Sequence, residues 1–320
     1  MAEKRTNGWG VAAVAAGAIG GGLALWSALA ARSAERAVPP DGEFVEVEGA
    51  RIHYVDLGSR RPDAPVLLMV HGLMGQLRNF TYALTDKLAA DYRIVAIDRP
   101  GWGHSVVKGR RPNILEQGRI VVAVADRLGL KSPVLVGHSL GGAVVLAAAL
   151  AAPGRFGGVA LIAPLTQPVE TAPPQFAGMV VPAGVREVLS WTLAVPSAML
   201  TGPVVARAVF APDPVPADFV TRGGGALSAR PQSYRAGSFE VMNAKSEIAW
   251  MAAHYGELSL PAGILFGRED AVLDPEMHGR ATAATIPGCR LELVDGGHML
   301  PVTHADVVAA FVRGVAMRAG

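Results

Sequence analysis

The 320-residue sequence has a single cysteine, Cys289, and only 6% aromatic residues. One cysteine excludes any disulfide within the chain and any metal site built from several cysteines. Charged residues make up 18% of the chain, and 29 Lys and Arg against 27 Asp and Glu leave a formal net charge of +2. This balance lacks the basic surplus of nucleic-acid-binding proteins, so we expect no nucleic-acid partner. Apolar residues reach 51%, too many for a disordered chain.

Charge is also missing from one long run near the N-terminus. Residues 6–31 hold no charged side chain, whereas Lys4 and Arg5 precede them and Arg32 follows. A helix of this length would extend about 39 Å, more than the bilayer core of about 30 Å. We therefore expect residues 1–40 to be a single-pass membrane anchor and linker. A secretory signal cleaved near residue 30, which would leave the protein periplasmic or secreted, and a soluble apolar helix are the alternatives.

From residue 43 onward, short apolar runs alternate with helical patterns. Strands are predicted at residues 44–47, 51–57, 66–70, 93–97, 133–136, 159–163, 262–266 and 290–294. Strands that alternate with helices predict an α/β fold with a mostly parallel sheet flanked by helices. The alternation stops between residues 164 and 258, where prolines and scattered aromatics predict a cap inserted into a core of residues 41–163 and 259–320.

A G-x-S-x-G motif occupies residues 137–141, directly after a predicted strand and at the start of a predicted helix. In that context the two glycines permit a sharp strand-to-helix turn that projects the serine above the sheet edge. The helix N-terminus also favours negative charge that develops nearby. We therefore predict that Ser139 is a catalytic nucleophile.

A second Gly-His-Ser sequence, at residues 103–105, does not meet the same conditions. Val107 stands where the second glycine of the motif would be. We therefore interpret Ser105 as a loop residue without a catalytic role.

A nucleophilic serine needs a general base and an acid that orients it. His298 follows the last predicted strand within a glycine-containing loop and is the candidate base. Asp270 follows the strand at residues 262–266 and is the candidate acid, with Asp274 as the alternative. The catalytic order along the chain would be Ser139, Asp270, His298.

Acyl transfer also requires donors for the oxyanion that forms on the substrate carbonyl. His71-Gly72-Leu73 follows the apolar strand at residues 66–70, and Gly72 allows the backbone N–H of Leu73 to point toward the site. The N–H of Leu140, the residue after the nucleophile, is the natural second donor.

Taken together, these motifs resemble the α/β-hydrolase superfamily over about residues 43–316. The resemblance rests on His71-Gly72, on D-R-P-G-W-G-H-S at residues 98–105, on G-H-S-L-G-G at residues 137–142, and on Asp270 and His298. It implies an eight-stranded, mostly parallel sheet with a helical cap after the sixth strand, and no cofactor or metal. Epoxide hydrolases and haloalkane dehalogenases are similar but carry Asp at the nucleophile position, so Ser139 favours the esterase-like branch.

The expected function is hydrolysis of small or apolar carboxylic esters through an acyl-enzyme on Ser139. A lactonase, a carbon–carbon bond hydrolase and a cofactor-free perhydrolase or haloperoxidase use the same triad and are the alternatives. A binding or scaffold protein on a degenerate hydrolase fold is a further alternative, against which the complete triad argues. The sequence does not indicate the oligomeric state.

Overall fold

The computed structural model describes residues 3–319, with side chains from Ala12 onward. Within this range the strands are β1 (Glu43–Val47), β2 (Ala50–Gly58), β3 (Val66–Val70), β4 (Arg93–Ile97), β5 (Val106–Val107), β6 (Val134–His138), β7 (Gly158–Ile162), β8 (Ala262–Gly267) and β9 (Arg290–Val294). They form one sheet in the order β1-β2-β4-β3-β6-β7-β8-β9, with the two-residue β5 paired to β2. β2 runs antiparallel to β1, β4 and β5, and every other neighbouring pair is parallel.

Helices cover both faces of this sheet. Their bounds are α1 (Glu3–Ala37), α2 (Arg78–Thr81), α3 (Leu84–Leu88), α4 (Ile114–Arg127), α5 (Leu140–Ala151), α6 (Ala183–Trp191), α7 (Ala194–Phe210), α8 (Pro231–His254), α9 (Ala281–Thr285), α10 (Leu300–Thr303) and α11 (Ala305–Ala319). The predicted α/β fold is therefore confirmed, and the short β5 is an addition to the predicted strands. α6, α7 and α8 lie between β7 and β8, in the stretch where the sequence alternation stops.

The continuous apolar run of β3 follows from its position at the centre of the sheet. Successive residues of a strand point to opposite faces. Leu68 and Val70 accordingly pack in the core layer that contains α4 and α5, whereas Leu67 and Met69 pack in the layer that contains α3 and α11. Because both faces are covered, all positions of the strand after Val66 are buried, and no polar alternation is seen.

α5, which begins directly after Ser139, is held by close contact with α4. α4 starts with a capping box, in which the Asn113 side chain accepts from the Glu116 N–H and the Glu116 carboxylate accepts from the Asn113 N–H. A Cβ added at Gly118 of α4 would lie 2.7 Å from the Cβ of Ala147 in α5. The two helix axes can approach this closely only because residue 118 has no side chain.

The predicted apolar N-terminal helix is present as α1. Among the described residues, Ala12–Ala37 is the single unbroken helix that is long and apolar enough to cross a membrane, with a mean hydropathy of 1.6, and an N-terminal signal sequence would meet the same criteria. Among the side chains described from Ala12 onward, those that pack on the rest of the protein lie in its C-terminal part. There Ser27 is buried, as is Val38 just after the helix, and Glu35 Oε1 lies 3.0 Å from Arg230 Nη1 at the start of α8.

Gly118 provides a test of the α4–α5 contact. We expect Gly118→Ala to lower the free energy of unfolding by about 1–3 kcal/mol, because the added methyl group forces the helices apart. Gly314 of α11 is a matched control, since a Cβ there meets nothing within 4 Å. Gly314→Ala should be neutral or stabilising by up to about 1 kcal/mol through helix propensity. Denaturant unfolding of both variants measures the difference, and equal effects would contradict the close contact.

Candidate active site

The turn between β6 and α5 holds Ser139 in a strained backbone conformation. Its φ is 55° and its ψ is −125°, a region that costs a non-glycine residue on the order of 1–3 kcal/mol. The flanking glycines make the turn possible. A Cβ at Gly141 would lie 2.1 Å from the carbonyl oxygen of Val70, and a Cβ at Gly137 would lie 2.7 Å from the carbonyl oxygen of Gly141. The strain places a partly exposed serine at the carboxyl end of the sheet.

Two further predicted site residues meet at the same sheet edge. His298, in the loop after β9, donates from Nδ1 to Oδ2 of Asp270, in the loop after β8, across 2.7 Å. The other carboxylate oxygen of Asp270 accepts from the backbone N–H groups of Val272 and Leu273, at 2.8 and 3.0 Å. With Nδ1 engaged as a donor, the imidazole presents its Nε2 as the basic atom.

The environment of Asp270 keeps it charged. Its carboxylate is fully buried, and burial alone would raise its pKa. The charge of His298, its hydrogen bond and the two backbone N–H groups outweigh burial, so the pKa of Asp270 lies below its ordinary value. Asp274, the alternative acid, instead accepts from the N–H of Glu276 at 2.9 Å and caps the turn that follows.

Ser139 and His298 line the same cavity, but no hydrogen bond joins their side chains among the described residues. His138, which precedes Ser139 in the chain, contacts His298 instead: its Nε2–H donates to the carbonyl oxygen of His298 at 2.9 Å. The rings of His138 and His298 also lie 5.0 Å apart. In unliganded enzymes the contact between nucleophile and base is often long or poorly aligned, and it tightens with substrate bound.

The predicted oxyanion donors lie beside Ser139. A Cβ added at Gly72 would be 2.7 Å from the Ser139 Cβ, so the His71-Gly72-Leu73 loop passes directly against the serine. Leu140 is the first residue of α5, where backbone N–H groups lack partners within the helix. Among the described residues, neither the Leu73 N–H nor the Leu140 N–H donates a hydrogen bond to the protein. Both donors are therefore available to a ligand.

A buried polar network that sequence reasoning missed supports this loop. Arg99 donates from Nε to the carbonyl oxygen of His71 at 2.8 Å and from Nη2 to that of Gly72 at 3.0 Å. Its Nη1 lies 2.6 Å from Glu240 Oε1 in α8, and both side chains are almost fully buried. Arg99 stands within the motif at residues 98–105, but nothing in the sequence marks Glu240 as its partner 141 residues away.

Three buried histidines are held neutral. Burial lowers the pKa of His71 and His138 to about 3 and that of His278 to about 4, with the positive charge of Arg99 adding to the effect at His71. The tautomer of His71 follows from its contacts, since Nδ1–H donates to the Gly72 carbonyl and Nε2 accepts from the Arg99 N–H. His71 and His138 thus act as fixed hydrogen-bonding groups around the site.

The Gly-His-Ser sequence at residues 103–105 has a structural role, as interpreted from the sequence. Ser105 is buried, donates to the carbonyl oxygen of Asp98 at 2.7 Å and accepts from the N–H of His53 at 2.8 Å. Asp98 in turn accepts from His53 Nδ1 at 2.7 Å. These partners join β2 to the loop after β4, away from the cavity.

The cavity above Ser139 has a volume of about 1080 Å³ and a mostly apolar lining. It extends from Ser139 and His298 past α7 to the C-terminal part of α1. Apart from histidines and Tyr234, Arg207 is the one ionisable side chain of its lining, among the residues whose side chains are described. In that same part of the chain, no group of three or more His, Cys, Asp or Glu side chains is arranged to hold a metal ion.

Comparison with known proteins identifies the family. Residues 65–305 match the family model described as the alpha/beta hydrolase fold. Since the match covers most of the chain, the protein belongs to the α/β-hydrolase-fold family.

Solved structures of other proteins share the fold. An enol-lactonase from Burkholderia xenovorans LB400 superposes with a TM-score of 0.71 at 21% identity, covering 86% of this chain and 100% of the lactonase. The carboxylesterase CesB from Bacillus subtilis superposes with a TM-score of 0.72 at 18% identity, covering 92% and 98%. At these identities the likeness concerns the fold alone.

Curated relatives match over shorter stretches. The dihydrolipoyllysine-residue acetyltransferase component of the acetoin cleaving system of Cupriavidus necator is 35% identical over 123 residues, which is 38% of this chain and 32% of the relative. A 2-hydroxy-6-oxononadienedioate/2-hydroxy-6-oxononatrienedioate hydrolase of Paraburkholderia phymatum is 36% identical over 119 residues, 35% of this chain and 39% of the relative. This chain therefore matches 32% of the length of the first relative and 39% of the second.

The neutral buried histidines predict that stability falls in acid. The unfolded chain protonates each of them near pH 6.5, whereas the folded chain does so only near pH 3 to 4. Between about pH 6.5 and pH 3 to 4 the unfolded state binds more protons than the folded state. The free energy of unfolding is therefore highest above pH 6.5 and decreases as the pH falls through this range. The slope per histidine reaches at most about 1.4 kcal/mol per pH unit.

Urea unfolding of the detergent-solubilised full chain between pH 7.5 and 4.5 measures this loss. His138→Asn should show a shallower loss than the wild type. Equal slopes would contradict the neutral state of His138.

Proposed function

We propose that the protein is a serine hydrolase that cleaves carboxylic esters through an acyl-enzyme intermediate. One observation supports this most strongly: a strained, partly exposed Ser139 shares one cavity with a His298 that a buried carboxylate, Asp270, orients at 2.7 Å. This combination of nucleophile, base and orienting acid is what acyl transfer requires.

In the proposed mechanism, His298 Nε2 removes the proton of Ser139 as its oxygen attacks the ester carbonyl carbon. The N–H groups of Leu73 and Leu140 bind the oxyanion of the tetrahedral intermediate, and Asp270 stabilises the imidazolium. The intermediate collapses when the carbon–oxygen bond to the alcohol breaks and His298 returns the proton to that alcohol. Water, deprotonated by His298, then attacks the acyl carbon; the bond from that carbon to the Ser139 oxygen breaks, His298 returns the proton to Ser139, and the acid is released.

The cavity lining supports an apolar, uncharged substrate. Its polar exposed surface is small, and the exposed Arg207 is its one permanently charged side chain among the described side chains. We propose that residues 164–258 form a cap over the core of residues 41–163 and 259–320, since α6, α7 and α8 contribute much of this lining. Such a pocket has a single cation for a substrate with two carboxylates, which disfavours the dienedioates named for the relatives.

Substitution of Ser139 tests the nucleophile. We expect Ser139→Ala to lower kcat for a p-nitrophenyl ester by at least about 10³-fold with unchanged folding, since the acyl-enzyme cannot form. Asp270→Asn should lower kcat by about 10³–10⁴-fold, because the imidazole loses its orienting acceptor. Ser197→Ala is the matched control, since its side chain lines the same cavity, on α7, and should stay within twofold of the wild type.

The Ser139→Ala variant tests the assignment of the nucleophile, and a substrate panel distinguishes the candidate activities. Retention of full esterase activity by Ser139→Ala would contradict the assignment. A panel of a p-nitrophenyl butyrate, a γ-lactone and a 2-hydroxy-6-oxo-dienoate should show the ester as the preferred substrate. Preference for the dienoate by more than about tenfold in kcat/KM would instead support carbon–carbon bond hydrolysis.

A further inference from the structure

The cap carries an unusually apolar outer surface, which we call the apolar cap face. It consists of exposed large apolar side chains on α6, on α7 and on the segments that join and follow these helices: Val188, Leu193, Met199, Leu200, Val204 and Val220. Along the 17 residues of α7, Arg207 is the single charged residue. Soluble proteins rarely leave large apolar patches uncovered, so we expect a partner to cover these side chains.

The apolar cap face surrounds the opening of the cavity. Leu193, Met199 and Val220 are more than half exposed, at 53%, 51% and 60%, and all three also line the cavity that contains Ser139. The passage from the outside to the serine therefore begins at this face.

The same opening borders the N-terminal helix. Ala30, Ser33, Ala34 and Ala37 of α1 line the cavity together with the cap. The preceding part of α1, from Ala12 to Ile19, is exposed at every position and carries no polar side chain. The exposed apolar surface of α1 and the apolar cap face thus adjoin each other at the mouth of the cavity.

The length of the uncharged run sets the position of the cap relative to a bilayer. A helix needs about 20 residues to cross the hydrocarbon core. Counted from Thr6, the first residue of the run, this places Trp26 at the far interface, where tryptophan is favoured. Ser27 and the residues after it, which pack on the protein, then lie at the membrane surface and hold the cap against it.

We propose that the apolar cap face rests in the interface of the lipid bilayer that α1 crosses, so that a lipophilic carbonyl substrate enters the cavity directly from the membrane. A second copy of the chain would cover the cap face but leave the exposed apolar length of α1 uncovered, whereas a bilayer covers both. Since the face carries few charges, the contact depends on apolar burial and requires no anionic lipid. The substrate part of this proposal rests on the proposed ester hydrolysis, and the membrane contact does not.

Fluorescence quenching tests the membrane contact without any need for catalysis. In a full-length Ser139→Ala, Cys289→Ser background, Leu200→Cys is labelled with an environment-sensitive dye and reconstituted into phosphatidylcholine vesicles. Brominated phosphatidylcholine should quench this dye at least threefold more than a dye at Met317→Cys. Met317 is a matched control because it is 76% exposed on α11, against 81% for Leu200.

Equal quenching at the two positions would overturn the proposal. So would dye self-quenching that rises with protein density in vesicles without brominated lipid, because that result places a second copy on the face.

Kinetics test the entry route. We expect the double variant Leu200→Glu, Val204→Glu to lower kcat/KM for a long-chain ester dissolved in the vesicle by about tenfold, and to leave that for water-soluble p-nitrophenyl acetate within twofold. Neither substituted residue lines the cavity, and Met317→Glu should change neither rate. An equal loss for both substrates, or no loss, would overturn the entry route. Absence of activity toward both esters in the wild type would contradict the proposed function, while the quenching result would still stand.

Discussion

The close approach of the α5 N-terminus to the carboxyl end of β3 is the constraint on which the site depends. Gly141 passes so near the carbonyl oxygen of Val70 that any side chain would clash, and a side chain at Gly72 would clash with the Ser139 side chain. This proximity forces the positive φ of Ser139 and brings the first N–H of α5 beside the His71-Gly72-Leu73 loop. The proposed nucleophile and oxyanion donors are thus products of one steric arrangement, which the buried central strands and the α4–α5 contact hold in place.

The buried pair of Arg99 and Glu240 extends this arrangement from the core to α8, in the proposed cap. Arg99 fixes the two carbonyl oxygens of the loop that faces Ser139, while Glu240 belongs to α8 and also accepts from Trp102 Nε1 at 3.1 Å. Removing one partner of such a pair leaves an uncompensated buried charge, which costs about 3–5 kcal/mol. The position of α8 and the direction of the His71 and Gly72 carbonyls are therefore coupled. A movement of α8 would change the geometry of the proposed oxyanion donors.

The strands, the helices of the core and the positions of Ser139, Asp270 and His298 could be predicted because their signals are local. A continuous apolar run specifies a strand buried on both faces, and the G-x-S-x-G motif specifies the turn that follows it. Both Asp270 and Asp274 follow β8, and the sequence favours Asp270 without excluding Asp274. The hydrogen bond of Asp270 to His298, and that of Asp274 to the Glu276 N–H, support the choice of Asp270. The contact of His138 with the His298 carbonyl and the partnership of Arg99 with Glu240 join residues far apart in the chain, and no periodicity or motif encodes such pairs.

The location of the reactive serine is tested most directly by covalent labelling followed by peptide mass spectrometry. After reaction of the full chain with a fluorophosphonate, we expect one phosphonyl group, on Ser139 alone, and little labelling in His298→Ala. Modification of Ser105 or another serine in place of Ser139, or the absence of any adduct in a preparation that still hydrolyses esters, would contradict the account.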